Sequence, residues 1–143
     1  MATKTLSDLA TLMADIDFCQ LVTRTESGAV ASRPMSNNGE VEYDGDSHFF
    51  TWDASRMAGD IREDAHVGIT MQGSADGTGA PPLMLMVQGV AELIHDRARF
   101  AKHWNPDLER WFEQGIDTPG MVMIVVHAER IAWWGDDDGE IVL

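Results

Sequence analysis

The sequence is short of several things, and each shortage removes a class of function. It has one cysteine, Cys19, so no internal disulfide can form, and a reducing, cytoplasmic setting is expected. It has no apolar run near the roughly 20 residues that span a bilayer. Its first residues, MATKTLSDLATLMADID, lack a basic stretch followed by an apolar one, so no secretory signal is expected. Positive charge is scarce: 10 Lys and Arg stand against 24 Asp and Glu, for a net charge of −14. That field repels nucleic acid and anionic membranes. A small anion would then need a local cationic pocket. Eight of the ten cations are Arg, the residue suited to planar, bidentate recognition of phosphate.

What remains is an ordinary globular composition. Hydrophobic residues make up 44% and charged residues 24% of 143 residues, enough for one domain over 1–143 with a real core. Leu6, Leu9, Leu12, Met13 and Ile16 recur at helical spacing, with Thr5 or Ser7 as N-cap, and predict a helix over about 5–15. Strands are predicted from Cys19 to Thr25, Ala29 to Met35, Ser47 to Trp52, His66 to Gln72 and Leu83 to Ile94, the last bent at Gly89. Turns are read at Glu26-Ser27-Gly28, Asn38-Gly39 (with Val41 and Tyr43 alternating after it) and Asp44-Gly45-Asp46. Ser55 caps a helix to about Glu63, with Met57, Ala58 and Ile61 inward. Asp96 caps another through His103, and Pro106 opens a short one containing Trp111 and Phe112. Met121 to His127 and Glu129 to Trp134 read as two final strands before a polar turn at Asp136-Asp137-Asp138-Gly139. The strands come in hairpin-like runs, which favours an antiparallel barrel with peripheral helices over a doubly wound α/β sheet. The apolar run Met121 to Val126, with five Trp and nine Met, predicts a homodimer.

Several constellations carry little chemistry. Cys19 heads an apolar strand with no nearby histidine and reads as a buried, inert thiol. His48, His66, His95, His103 and His127 form no pair at metal-binding spacing. The acidic turn at 136–140 lacks the ligand pattern of a calcium loop, and the glycines of 73–79 fit no phosphate-binding spacing. No acid–base pair stands out, so no catalytic residue is assigned. The segment 32–62 says more. Ser32-Arg33-Pro34-Met35 ends one strand, Phe49-Phe50-Thr51 ends another, and Ser55-Arg56 opens a helix. A helix N-terminus with a hydroxyl and a guanidinium suits a phosphate, although it is also what a capped surface helix looks like.

These residues resemble the pyridoxamine 5′-phosphate oxidase-like FMN-binding split barrels. His103-Trp104-Asn105-Pro106, Trp111-Phe112, Gly115 and Asp117-Thr118-Pro119 resemble the general-stress-protein branch of that family, as do Val87 to Glu92 and Ala132-Trp133-Trp134. The likeness covers nearly the whole chain. It implies a six-stranded antiparallel split barrel, mainly β, that forms a homodimer with FMN between subunits and possible oxidoreductase activity on a small molecule. By match of motifs, Ser55 and Arg56 would contact the phosphate, and Phe50 and Thr51 the ribityl chain and ring. Arg33, Pro34 and Met35 would lie along the isoalloxazine. Trp134 would reach the flavin of the partner subunit, while packing is the expected role of Trp104, Trp111 and Trp133. The chain departs from the family at Met57, where Lys is usual, at Met84, where the oxidases carry Gln, and in its acidic and apolar tail, which lacks their substrate Arg. Met57 and the acidic surface favour an alternative, a flavin-free dimeric binding or stress-associated module of the same fold. Met57→Lys would tighten FMN if the side chain faces the phosphate and would destabilise the fold if it faces the core.

Overall fold

A computed structural model describes residues 4–37, 43–75 and 77–143. The Asn38-Gly39 turn and Val41 lie outside the described residues. The elements run α1 (Leu6–Ala14), β1 (Phe18–Arg24), β2 (Val30–Ser36), β3 (Asp46–Trp52), α2 (Arg56–Glu63), β4 (His66–Gln72), β5 (Met84–Ile94), α3 (Arg97–His103), 3-10 turns at Pro106–Arg110 and Gly115–Asp117, β6 (Met121–Trp134) and β7 (Gly139–Val142).

All seven strands join one antiparallel sheet in the order β2-β1-β4-β5-β6-β3, with β7 paired to β6. The sheet curls around a core but, among the described residues, no strand pairing joins β2 to β3, so the split-barrel expectation holds with a seam between these two edges. Five antiparallel pairings separate them, so the two edges run in opposite directions along the seam.

Two local expectations are corrected. Glu129 to Trp134 is not a separate strand but the second half of β6, which runs unbroken for 14 residues. One edge of β6 pairs with β5, while the other is shared between β3, along Met121 to His127, and β7, along Arg130 to Trp133. The turn at 136–138 therefore leads into a seventh strand. Its Gly139-Glu140-Ile141-Val142 alternates half-buried and exposed, the pattern of a strand with one covered face. Likewise, the turn opened by Pro106 stops at Arg110, with Trp111 as its C-cap. The bend expected at Gly89 is a bulge. Gln88 pairs with Arg130 and Gly89 with Ala128, so Glu129 is the extra residue. A Cβ on Gly89 would lie 2.4 Å from the His127 carbonyl oxygen, so only glycine fits.

Inside the barrel sit Leu21, Ile69, Leu85, Val87, Ile131 and Trp133, with Leu9 and Met13 of α1 and Met57 and Ile61 of α2. Thr5 caps α1 in a reciprocal box with Asp8. A second cluster packs Met121, Met123 and Val125 of β6 and Phe50 of β3 against Phe100 and Phe112. Residues 121–126 are thus buried on both faces within one chain, which is why their sequence is continuously apolar. Their apolarity accordingly gives no support for a dimer. Phe18, Met84 and Trp134 are 60%, 39% and 48% exposed; Met84 and Trp134 are direct cross-strand partners.

Candidate functional site

The seam places three of the sequence motifs along one line. β2 brings Arg33, Pro34 and Met35 to one edge, β3 brings Phe50 and Thr51 to the other, and α2 begins just past the end of β3. At the end of the seam nearer the C-terminus of β2, a cleft of about 420 Å³ opens. Met35, Ser36 and Asn37 form one side and His48, Phe49 and Phe50 the other, with the segment around Asn105 to Trp111 over them. Asn37 fixes this end by donating to the carbonyls of Met13 and Ile16, both at 2.8 Å. The volume lies within the range of small-molecule sites.

At the other end, Ser55 is the N-cap of α2, its hydroxyl oxygen accepting from the Ala58 N–H at 3.2 Å. Its own O–H is left to donate. Arg56 is exposed and, among the described residues, no carboxylate lies within ion-pair distance of it. Arg62 in the last turn is paired with Asp53, whose carboxyl is held below its usual range by a hydrogen bond from His95 and by Arg62. Met57 is buried in the barrel core, 6% exposed. Among the described residues the helix start therefore carries one free cation, not two.

Arg33 is not free. Its Nη1 donates to Thr23 Oγ1 at 2.8 Å and to the Leu21 carbonyl at 3.2 Å, and its Nη2 lies 3.6 Å from Asp60 Oδ2. Thr23 in turn donates to Asp60 Oδ2 at 2.8 Å. Thr23 and Asp60 are both buried, so this network ties α2 to β1 and β2. Sequence reasoning missed Asp60. A signal existed, since Asp60 lies three residues after the inward Met57 and beside the inward Ile61. An acid on the covered face of a helix needs a partner.

Of the eight residues expected at a flavin, Met35 and Phe50 line the cleft. Phe50 is also 5.0 Å from Trp104 and 5.7 Å from Phe100, edge to face. Ser55 and Arg56 stand at the far end of the seam, Thr51 pairs with Val122 on β3, and Arg33 is held in its network. Trp134 lies outside the seam, exposed beside Met84 on β5. His48 forms part of the cleft wall and stacks on His103 with 3.5 Å between centroids. Burial, and then His103, push its imidazole down to about 4. Cys19 is buried, and that burial pushes its thiol up to about 12, leaving it inert at neutral pH.

A flavin phosphate fits this arrangement on a single guanidinium. The free Arg56, the Ser55 hydroxyl and the start of α2 would be its partners, and the cleft beside Met35 and Phe50, lined by both apolar and polar side chains, has room for a ring. Among the described residues no helix is long and apolar enough to cross a membrane.

Comparisons with known proteins agree with this fold. Residues 4–143 match the family described as pyridoxamine 5′-phosphate oxidase like. Protein bli-3 of Neurospora crassa is 31% identical over 108 residues, or 75% of this chain, and the match spans about half (49%) of that relative's length. A protein related to general stress protein 26 from Clostridium acetobutylicum superposes with a TM-score of 0.80 at 20% identity, covering 100% of this chain and 97% of that one. General stress protein 26 from Bacillus anthracis gives 0.78 at 21% identity, covering 96% and 98%. At such identities the structures speak for the fold, and the matched family model speaks for descent. The chain belongs to the pyridoxamine 5′-phosphate oxidase-like family.

Proposed function

We propose that the chain is an FMN-binding protein of the general-stress-protein type, one domain over 1–143, acting as a homodimer with redox activity on a small molecule. The observation that carries this reading is the seam itself. An open edge between β2 and β3 has an unpaired Arg56 at a helix N-terminus at one end and a cleft of about 420 Å³ at the other. Ser55 and Arg56 hold the phosphate, Phe50 and Thr51 flank the ribityl chain, and Arg33, Pro34 and Met35 lie along the ring. When bound, FMN supplies the electron transfer, and the protein supplies binding, orientation and shielding from water. The exposed Phe18, Met84 and Trp134 are the surface on which a second copy would sit, bringing Trp134 toward the flavin of the partner subunit. A cytoplasmic setting suits the lone, reduced Cys19.

The test is an absorbance spectrum of the purified protein with and without added FMN, followed by titration of FMN and riboflavin into wild type and Arg56→Ala. Arg56→Ala should weaken FMN about tenfold and leave riboflavin unchanged, since riboflavin has no phosphate. Equal losses for both would show that Arg56 acts through the fold. Sedimentation should give a dimer, and a stable monomer at micromolar concentration would remove the shared flavin site.

A second reading, a flavin-free dimeric binding module, is favoured by one finding. Met57 is in the core and Arg33 is paired with Asp60, so among the described residues of the seam Arg56 alone remains for the phosphate. A colourless protein that takes up neither FMN nor riboflavin would establish it.

A further inference from the structure

The cleft extends beyond what the flavin reading uses. Six of the eight residues expected at the flavin do not line it, and one wall comes from the segment Asn105 to Trp111 instead. On that wall the Arg110 guanidinium lies over the face of the Trp111 ring, 5.1 Å from its centroid. Trp111 is 50% exposed and takes no part in the aromatic cluster built by its neighbour Phe112. A tryptophan outside the core and beside a cavity offers a stacking surface. Among the described residues no carboxylate lies within ion-pair distance of Arg110. That is notable in a chain with 24 carboxylates and 10 cations.

The rest of the lining defines what fits. Ile16, Phe49 and Leu108 are apolar, and Arg110 is the one Lys or Arg of the cleft. Asp17 and Asp107 also line it, so the cleft is not cationic as a whole and an anion is favoured only in direct contact with Arg110. His48 is uncharged at neutral pH and adds no competing cation.

We propose that Arg110 and Trp111 form a subsite, beside the place of the flavin ring, for a planar aromatic molecule carrying one carboxylate. The carboxylate meets the guanidinium, which lies over the Trp111 ring, in the bidentate geometry that Arg matches, and the aromatic ring lies against the part of the indole that the guanidinium leaves uncovered. The proposal rests on the flavin reading for what fills the seam beyond Met35, and in that reading the aromatic carboxylate is the second ligand that meets the flavin.

Naphthoate is the probe, with neutral naphthol as control, followed by calorimetry and tryptophan fluorescence. Naphthoate should bind saturably, and Arg110→Gln should weaken it roughly tenfold while leaving naphthol unchanged. Trp111→Ala should weaken both. Arg110→Lys, which keeps the charge but loses the planar fork, should fall between wild type and Arg110→Gln and covers the case in which the Gln variant folds poorly. Naphthoate should also bind the FMN-loaded protein. No saturable binding at millimolar probe, equal affinity for wild type and Arg110→Gln, or displacement of naphthoate by FMN would each overturn the proposal. Arg110-dependent binding of naphthoate to a protein that takes up no FMN would retain the subsite and overturn the flavin reading alone.

Discussion

Met57→Lys separates the two destinies of the start of α2. By sequence the position could face the phosphate or the core. The structure puts it 6% exposed in the barrel core, in the same cluster as Ile61 one turn on. Removing a buried Met from that cluster costs about 2 kcal/mol of apolar burial. A lysine that stays inside adds the desolvation of its charge, and one that snorkels out through the first helical turn escapes most of that. The expected loss is thus about 2–4 kcal/mol, which for a chain of this size lowers Tm by roughly 5–15 °C. FMN affinity should stay the same or fall, since the ammonium reaches the phosphate only by unpacking the helix. Thermal melts and flavin fluorescence titrations of both proteins, at low and high salt, measure both quantities. An unchanged Tm together with about tenfold tighter FMN, shrinking with salt, would refute the reasoning. It would mean that Met57 turns outward and that the phosphate site can take a second cation.

Three further outcomes follow from the packing. Gly89→Ala should destabilise the fold by about 3 kcal/mol, because its Cβ meets the backbone of β6 at 2.4 Å; a melt within a degree or so of wild type would show that the bulge can relax. Asp60→Ala should cost about 3–5 kcal/mol by stranding the Arg33 guanidinium, and the double variant Asp60→Leu with Arg33→Met should recover most of it in denaturant unfolding. His48 gives a pH signature. Its folded pKa, about 4, lies below its ordinary 6.5 because burial and His103 disfavour the cation, so the unfolded chain takes up the proton first. Its contribution is fully present above pH 6.5 and fades as pH falls toward 4. Wild type should therefore lose stability relative to His48→Gln over that window, and a pH-independent difference would refute it. His127, raised by Asp46 and Glu92, works in the opposite sense, fading as pH rises, and is common to both proteins.

The elements that the sequence reveals are those that depend on near neighbours. Ser55 and Asp96 cap α2 and α3 as their spacing predicts, and β1, β3 and β4 fall within a residue of the expected runs. β7 was legible in principle, in the alternation after Gly139, but a four-residue strand is defined only by the partner it finds on β6. The continuous apolarity of Met121 to Val126 was equally visible, yet a second subunit and the chain's own Phe50, Phe100 and Phe112 bury such a strand equally well. Trp111 looks like any other packing tryptophan until the fold leaves it outside the core, at a cleft with Arg110.

Sequence by itself thus determined the kind and order of most elements up to β5, the helix caps, the motifs that mark the family and the scarcity of positive charge. Those properties rest on local periodicity and on composition. Only the tertiary structure decided where the barrel stays open, because the seam exists between β2 and β3, two edges that close through five other pairings. It also decided which cations remain available. Arg33 and Asp60 are 27 positions apart, and their pairing inside the barrel removes one guanidinium from the seam while Arg56, on the same helix as Asp60, is left free. Charge availability is a property of who meets whom in space, and only the tertiary fold sets those meetings.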